Sequence, residues 1–167
     1  MTKKINTTIL ESLAYDCFKK QMHRMVNHFI ESNEIDKYFG KMLSLIQIVD
    51  QQLYEHMTSF GEHDHFYFGY RWFLLDFKRE LAYADIYSVW ETIWTSEWGA
   101  RTNNFALFIA LALILSYRQV IIENGMNYTD MIKFFNELAE KHNVTQIVTM
   151  ARGLVQKLIN LMESNQE

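Results

Sequence analysis

Residues 66–94 read FYFGYRWFLLDFKRELAYADIYSVWETIW, and this stretch decides the fold class of the chain. Nine of its first twelve residues are apolar or aromatic, whereas an ordinary surface helix is apolar along one stripe only. The stretch is therefore predicted to be buried on more than one side. Arg71 lies between Tyr70 and Trp72, so its guanidinium needs an internal acceptor, because a buried unpaired charge costs several kcal/mol.

The charged residues of this stretch are predicted to form an internal ion-pair network that sets how two helices cross. Glu91, beside Trp90 on the following helix, is a candidate acceptor for Arg71. Asp76 and Arg79 are three positions apart and would pair on one helix face. The members of the predicted network are Arg71, Asp76, Arg79, Glu80 and Glu91.

The composition indicates helices throughout. The chain of 167 residues has no proline and six glycines, which disfavours turn-rich β architecture and favours uninterrupted helices. Hydrophobic residues make up 49% of it, enough for a large packed core. The net charge of −4 lacks the basic footprint that nucleic-acid binding leaves. We expect an all-α fold in a single helical region spanning residues 1–167.

The single cysteine and the longest apolar run are both assigned to the core. Cys17 lies on an apolar helical stripe and is expected to be a buried thiol, and one cysteine cannot form an internal disulfide framework. The run Phe105–Leu115 has eleven residues, fewer than the ~20 that span a bilayer. We interpret this run as a buried central helix. The N-terminus has no apolar segment of the secretory-signal kind.

Hydrophobic spacing places the helices and their caps. Apolar positions recur at three and four residues from Leu10 to Phe29 and again from Met42 to Val49. Further helices are predicted over residues 71–81, 86–94 and 105–122, followed by two more towards the C-terminus. The predicted caps are Asp50 for a short helix ending near Met57, Asn127 or Thr129 for the helix after a stop at Asn124-Gly125, and Asn143 for the last helix.

No constellation of a catalytic or metal site is evident. The densest group of potential ligands is His56, Glu62, His63, Asp64 and His65. Their spacing matches no known metal site, so we predict a solvated loop and no metal. Carboxylate pairs for acid–base work, a serine triad, a P-loop and a dinucleotide-binding motif are all absent, so no catalytic residue and no cofactor are predicted.

Several segments resemble the TBC domain of GTPase-activating proteins for Rab GTPases. The specific ones are RWFLLDFKRE (71–80) and WETIW (90–94), supported by ESLAYDCF (11–18), IVDQQLYEH (48–56) and IIENGMNYTDMIKFFNELAEKHN (121–143). The similarity is strongest over 11–163, and within the family it is greatest to the small G-protein signalling modulator branch. It implies that the chain is the C-terminal half of the domain, a multi-helix orthogonal bundle.

The resemblance also implies a chemistry. Members of the family insert an arginine and a glutamine into the Rab active site, where the arginine stabilises charge on the γ-phosphate and the glutamine orients the attacking water. The two residues come from I-x-x-D-x-x-R and Y-x-Q motifs. This chain contains no I-x-x-D match, and Tyr117-Arg118-Gln119 is a coincidental Y-x-Q match inside a helix.

We therefore expect a part of a Rab GTPase activator that lacks both fingers, is inactive alone and is not a catalyst in its own right. The alternatives are a catalytically silent adaptor that binds a GTPase or its effectors, and a scaffold that no longer touches GTPases. The expected partner is a GTP-bound Rab GTPase, with cytoplasmic localisation, endomembrane association only through that partner and no membrane insertion. Candidate contact residues are Arg71, Lys78, Arg79 and Trp98, and uncovered apolar stripes predict self-association.

Overall fold

A computed structural model describes residues 7–30, 32–59, 66–99, 102 and 104–164, and their side chains except at 24, 25, 27–30, 32–34 and 97–99. The regular structure in these ranges is helical without any strand, which confirms the predicted all-α class. The helices in chain order are α1 (Thr7–Ile30), α2 (Ser32–Val49), α3 (Gln51–Thr58), a 3-10 turn (Tyr67–Gly69), α4 (Tyr70–Leu74), α5 (Tyr83–Gly99), α6 (Phe105–Ser116), α7 (Arg118–Glu123), α8 (Tyr128–Leu138) and α9 (Val144–Ser164).

Helix α6 lies at the centre of the core. All ten residues from Phe105 to Ile114 are buried, as expected for a helix that is apolar on every side. Helix α9 packs along it, and α2, α5 and α7 contact it from other directions. The predicted central helix is therefore confirmed. Within the described ranges, no helix combines the length and the apolarity that crossing a membrane requires.

The predicted helix caps are confirmed. The cap side chains accept backbone N–H groups three residues on: Asp50 from Leu53 at 3.0 Å, Asn127 from Asp130 at 3.1 Å and Asn143 from Gln146 at 3.1 Å. Asn127 rather than Thr129 caps α8, because Asp130 returns the bond as a capping box. Gly125 ends the preceding helix with a φ of 54°, a conformation that glycine adopts without steric cost.

Two predicted helices are shorter than the periodicity indicates. The helix predicted over 71–81 ends at Leu74, because Asp76 and Phe77 take left-handed φ values of 44° and 63°. The helix predicted over 105–122 is interrupted at Tyr117, whose N–H bonds to Ile114 three residues back instead of continuing the α-helical ladder. Both interruptions redirect the chain and bring distant charged residues together.

The prediction of a buried thiol on the first helix is wrong. Cys17 is exposed, and so are the large apolar side chains of the same helix: Ile9, Leu10, Leu13, Phe18 and Met22. Helix α1 does contact α2 and α4. The part of its apolar stripe from Ile9 to Met22 nevertheless faces outward, because no other described element covers it.

Candidate functional site

The segment between α3 and α5 is clamped by aromatic rings. Phe66, Trp72 and Phe77 are at most 1% exposed. The Trp72 ring lies 5.0 Å from Phe135 of α8, edge to face, and the Phe66 ring lies 5.6 Å from Phe39 of α2. Such pairs add ~0.5–1.5 kcal/mol each to the burial of their area. The segment is therefore fixed against two helices at once.

Two long-range hydrogen bonds hold the turn that follows α4. The indole Nε1–H of Trp90 donates to the backbone carbonyl of Asp76 at 2.8 Å. The backbone N–H of Glu140 donates to the carbonyl of Glu80, also at 2.8 Å. Because Asp76 has a left-handed φ, which disfavours residues with a Cβ, these bonds help to keep the turn in its conformation.

An ion pair closes the turn from inside. Nη2 of Arg71 lies 2.8 Å from Oε1 of Glu80, and the Glu80 side chain is fully buried while that of Arg71 is 37% exposed. Burial raises the pKa of Glu80, and the nearby positive charge of Arg71 opposes that shift. The guanidinium thus joins a buried carboxylate to the surface.

The predicted ion-pair network differs from this arrangement in two respects. Glu91, expected as an acceptor for Arg71, lies on the outer surface of α5 and forms no ion pair with it, because the turn brings Glu80 to Arg71 first. The expected pairing of Asp76 with Arg79 assumed continuous helix, and the left-handed φ of Asp76 removes the basis for that spacing. Arg79 is exposed and acts on Glu80 as a more distant positive charge.

The predicted contact residues lie on or near the outer side of the same turn. Lys78 is half-buried, with its Nζ 5.1 Å from the centre of the Tyr83 ring at the start of α5. Arg79 projects into solvent beside it. Trp98 belongs to the last turn of α5, and its side chain lies outside the described residues. Arg71, Lys78 and Arg79 together form the basic turn.

Sequence reasoning missed a second arginine pair. Arg118, the first residue of α7, contacts the Asp50 carboxylate through Nε and Nη2, and Nη2 also donates to Oε1 of Gln52 at 2.7 Å. The pKa of Asp50 is lowered, chiefly by the hydrogen bond from Arg118. The only available signal was the Asp50 cap, since a capping carboxylate retains free acceptor positions for a cation.

The side chains of the Y-x-Q match are engaged within the protein. Tyr117 shares a hydrogen bond of 2.8 Å with Nδ1 of His142, and Arg118 is held by Asp50. The Gln119 amide donates to Glu123 one turn further along α7 at 2.8 Å. These contacts accord with a structural role for all three residues.

Of the five potential metal ligands in the sequence group, His56 alone lies among the described residues. The expected solvated loop with Glu62, His63, Asp64 and His65 lies outside the described residues. His56, which is described, places Nε2 2.9 Å from the carbonyl of Met126. Among the described residues, no group of three or more potential ligands is arranged to hold a metal ion.

Comparisons with known proteins identify the family. Residues 5–122 match the model of the Rab-GTPase-TBC domain. The chain is 53% identical to small G protein signaling modulator 1 of Mus musculus over 154 residues, which cover 92% of this chain and 14% of that protein. It is 42% identical over 153 residues to the Rab GTPase-activating protein tbc-8 of Caenorhabditis elegans, covering 92% of this chain and 17% of that protein.

A more distant relative is the GTPase-activating protein GYP7 of Debaryomyces hansenii, 29% identical over 147 residues, or 86% of this chain and 19% of that protein. The chain thus spans less than one fifth of the length of each of these relatives. The chain is identical to small G protein signaling modulators at about half of the aligned positions, which confirms the resemblance to that branch. The chain belongs to the Rab-GTPase-TBC domain family.

Proposed function

We propose that the chain docks on a GTP-bound small GTPase of the Rab family, as part of a GTPase-activator-type regulator of vesicle trafficking. The observation that carries the proposal is the family match over residues 5–122. It is supported by relatives that are named Rab GTPase-activating protein and GTPase-activating protein. In this role the chain regulates the hydrolysis that the GTPase performs and is not itself the enzyme.

The basic turn is the contact surface that we propose for the GTPase. Arg71 and Lys78 are partly accessible and Arg79 is exposed. Arg71 lies within the segment that buried rings hold in place, and Lys78 and Arg79 directly follow it. A surface fixed before binding loses little conformational entropy when the partner arrives. Trp98, at the end of α5, is a further proposed contact.

We further propose that residues 1–167 do not accelerate GTP hydrolysis on their own. Acceleration requires a cation placed against the γ-phosphate and a group that orients water, and together these supply several kcal/mol to the transition state. No I-x-x-D-x-x-R motif occurs in these residues. The best match to the glutamine motif places Gln119 on Glu123 and Arg118 on Asp50, so both side chains would have to leave these partners to enter another active site.

A catalytically silent adaptor is the second candidate, and the same engaged side chains favour it. Such an adaptor would bind the GTPase or one of its effectors without changing the hydrolysis rate. The two candidates differ in what a longer protein would do, because only an activator gains catalytic power when both finger motifs are supplied.

Single-turnover hydrolysis tests the proposal. A panel of GTP-loaded Rab GTPases is mixed with excess chain, and both the hydrolysis rate and the binding are measured. We expect binding to at least one member with an unchanged rate. Acceleration would show that a finger exists within these residues, and Arg71, Arg79 and Arg118 would be the first to substitute. Absence of binding across the panel would contradict the docking proposal.

We also propose that the exposed stripe of α1 makes the isolated chain self-associate. Leu13 and Phe18 are 56% and 59% exposed, and Ile9, Leu10 and Met22 of the same helix are exposed as well. Contiguous apolar surface of this kind is unusual on a monomer. Sedimentation velocity of the chain and of a Leu13→Ser/Phe18→Ser variant tests this, with a shift towards monomer expected. A wild-type chain that is monomeric at high concentration would contradict it.

A further inference from the structure

Helix α5 carries a stripe of four aromatic residues, Tyr83, Tyr87, Trp90 and Trp94, which share one helix face at spacings of four, three and four. Tyr83, Tyr87 and Trp94 are 64%, 54% and 41% exposed. Successive ring centroids lie 5.4, 6.2 and 5.5 Å apart, so the four rings form one continuous surface. Trp90 is fixed from below by its bond to Asp76. The stripe is therefore held in place at Trp90 and exposed at its other three rings.

Glu91 lies beside the stripe, and no described residue supplies a counter-ion to it. It is one helical turn from both Tyr87 and Trp94, and its side chain is exposed. Among the described residues, no lysine or arginine forms an ion pair with it. Lys78 lies over Tyr83 at the other end of the stripe. A carboxylate beside open ring faces is an arrangement that attracts a planar cation.

Glu91 also lines a cleft of about 940 Å³ between α5 and α9. Four hydroxyls line its α5 wall, and each donates to a backbone carbonyl: Ser88 to Asp85 at 2.8 Å, Thr92 to Ser88 at 2.8 Å, Thr95 to Glu91 at 2.7 Å and Ser96 to Ile93 at 2.7 Å. Their protons are thus committed, and their lone pairs are left to accept hydrogen bonds from a ligand.

The cleft lining carries more negative than positive charge. Glu163 of α9 supplies a second carboxylate, and Arg152 of the same helix is the basic residue of the lining. Neither Glu91 nor Glu163 forms an ion pair with Arg152 within 4 Å in the described structure. The net charge of the lining side chains is therefore negative.

We propose that the cleft and the aromatic stripe form a docking surface for an arginine-containing segment of a protein partner. A guanidinium presents five N–H donors in one plane, stacks on aromatic faces and pairs with carboxylates in a bidentate way. The surface offers each of these complements: ring faces, a free carboxylate and hydroxyl lone pairs. Lysine, a point charge without the planar fork, fits it less well. The proposal does not rest on GTPase docking, because Glu91 and the cleft are not part of the basic turn, which meets the stripe where Lys78 lies over Tyr83.

Binding of labelled peptides to the 167-residue chain tests the proposal. Fluorescein-labelled hexa-arginine and hexa-lysine are titrated by fluorescence anisotropy at low and at physiological ionic strength. We expect hexa-arginine to bind several-fold more tightly than hexa-lysine. Glu91→Gln should weaken hexa-arginine binding about fivefold, and Tyr87→Leu, which keeps apolar bulk but removes the ring, about threefold.

Matched variants separate this surface from general attraction to an acidic protein. Glu137→Gln removes an equal charge from an exposed position on α8 and should leave the affinity unchanged. Arg152→Ala removes the like charge from the cleft and should strengthen hexa-arginine binding. Loss of binding in Arg152→Ala would show that the cleft takes an anionic ligand and would overturn the proposal. So would equal affinities of wild type and Glu91→Gln.

Thermal melting of each variant confirms that the fold is intact, which is expected because Glu91 and Tyr87 are exposed. Sedimentation velocity tests whether a second copy of this chain occupies the surface. If Glu91→Gln changes the oligomeric state and not peptide affinity, the surface is an interface between copies of this chain, and the proposal fails.

Discussion

Two arginine–carboxylate pairs close two breaks in the helices, and they differ in the burial of the acid. In the basic turn, Arg71 meets Glu80, whose side chain is fully buried and whose pKa is raised by that burial. At the start of α7, Arg118 meets Asp50, whose side chain is 13% exposed and whose pKa is lowered, chiefly by the hydrogen bond to Arg118. Both arginines lower the pKa of their partner. The net shifts are nevertheless opposite, because desolvation outweighs the pairing at Glu80 and the pairing outweighs desolvation at Asp50. The inner pair anchors the proposed contact surface, and the outer pair joins α3 to α7.

The largest expected effect comes from removing the cation of the inner pair. Arg71→Ala leaves the Glu80 carboxylate buried without its partner, and we expect a loss of about 2–3 kcal/mol in the free energy of unfolding. Urea denaturation at pH 7 measures it. The double variant Arg71→Ala/Glu80→Gln should be more stable than the single variant, because the buried charge has been removed with its partner. If the double variant lost as much free energy of unfolding as Arg71→Ala and Glu80→Gln lose together, the account would be contradicted.

The pH dependence of Arg71→Ala sharpens the same comparison. The folded-state pKa of Glu80 lies above its ordinary value of 4.5, so the folded chain holds this proton at a pH where the unfolded chain releases it. The contribution of the Glu80 carboxyl to the free energy of unfolding is therefore favourable below pH 4.5 and is lost as the pH rises through the folded-state pKa. We expect the defect of Arg71→Ala to shrink as the pH falls towards 4.5. A defect that is constant from pH 7 to pH 4.5 would contradict a buried, ionised Glu80.

His142 extends the comparison to a buried base. Burial lowers its pKa from 6.5 to about 4, while Nδ1 shares a hydrogen bond with Tyr117. The unfolded chain binds a proton first as the pH falls, so this contribution is complete above pH 6.5 and is lost progressively towards pH 4. We expect a loss of the order of 2 kcal/mol between pH 7 and pH 4.

Urea midpoints of wild type and His142→Asn across that range measure the effect. The variant should be less stable at pH 7, where it lacks the packing of the ring, but flatter with pH because the titrating group is gone. Parallel curves for the two proteins would show that another group carries the acid sensitivity.

A smaller effect is expected at Trp90, which ties α5 to the turn. Trp90→Phe keeps a ring but removes the Nε1–H bond to the Asp76 carbonyl, and we expect a cost of about 1 kcal/mol. Trp94→Phe is the matched control, since Trp94 is 41% exposed on the same stripe and should change stability much less. Equal costs for the two variants would mean that the Trp90 bond contributes nothing particular.

The smallest effect is expected from the outer pair. The Arg118 side chain is 36% exposed, so solvent screens its attraction to Asp50. Arg118→Ala should lower the unfolding midpoint less than any of the preceding changes, and the difference from wild type should diminish in 1 M salt. Arg71→Ala is the comparison. Its loss of stability should persist in 1 M salt, because the Glu80 side chain that it leaves unpaired is buried.

The fold was predictable where local signals are sufficient. Asp50 and Asn127 predict helix starts, because each side chain can accept a hydrogen bond from the backbone N–H three residues later. The run from Phe105 to Leu115 is so apolar that it predicts a core helix. The end of α4 was not predictable in this way. Asp76 and Phe77 take left-handed φ values, but neither is a glycine, the residue type that would have predicted such a turn. The turn is held by the hydrogen bond from Trp90, which lies fourteen residues after Asp76.

The candidate site was predictable only in part for the same reason. The need of Arg71 for an acceptor follows from its apolar neighbours, but the choice between Glu80 and Glu91 depends on the turn. The Arg118–Asp50 pair joins residues 68 positions apart, and no spacing reveals it. On α1 the apolar stripe predicts a helix correctly, yet periodicity cannot say whether the stripe is covered, and Cys17 is exposed.

The most direct test of the central claim is the affinity of a Lys78→Glu/Arg79→Glu variant for GTP-loaded Rab GTPases that bind the wild-type chain, measured by isothermal titration calorimetry. Neither residue lies in the buried core, so the melting temperature should stay close to wild type. Lys157→Glu/Lys133→Glu, with both lysines exposed on other helices, is the charge-matched control. The account predicts that reversal on the basic turn weakens binding about tenfold or more, while the control binds as wild type does. Equal affinities for both double variants would contradict it.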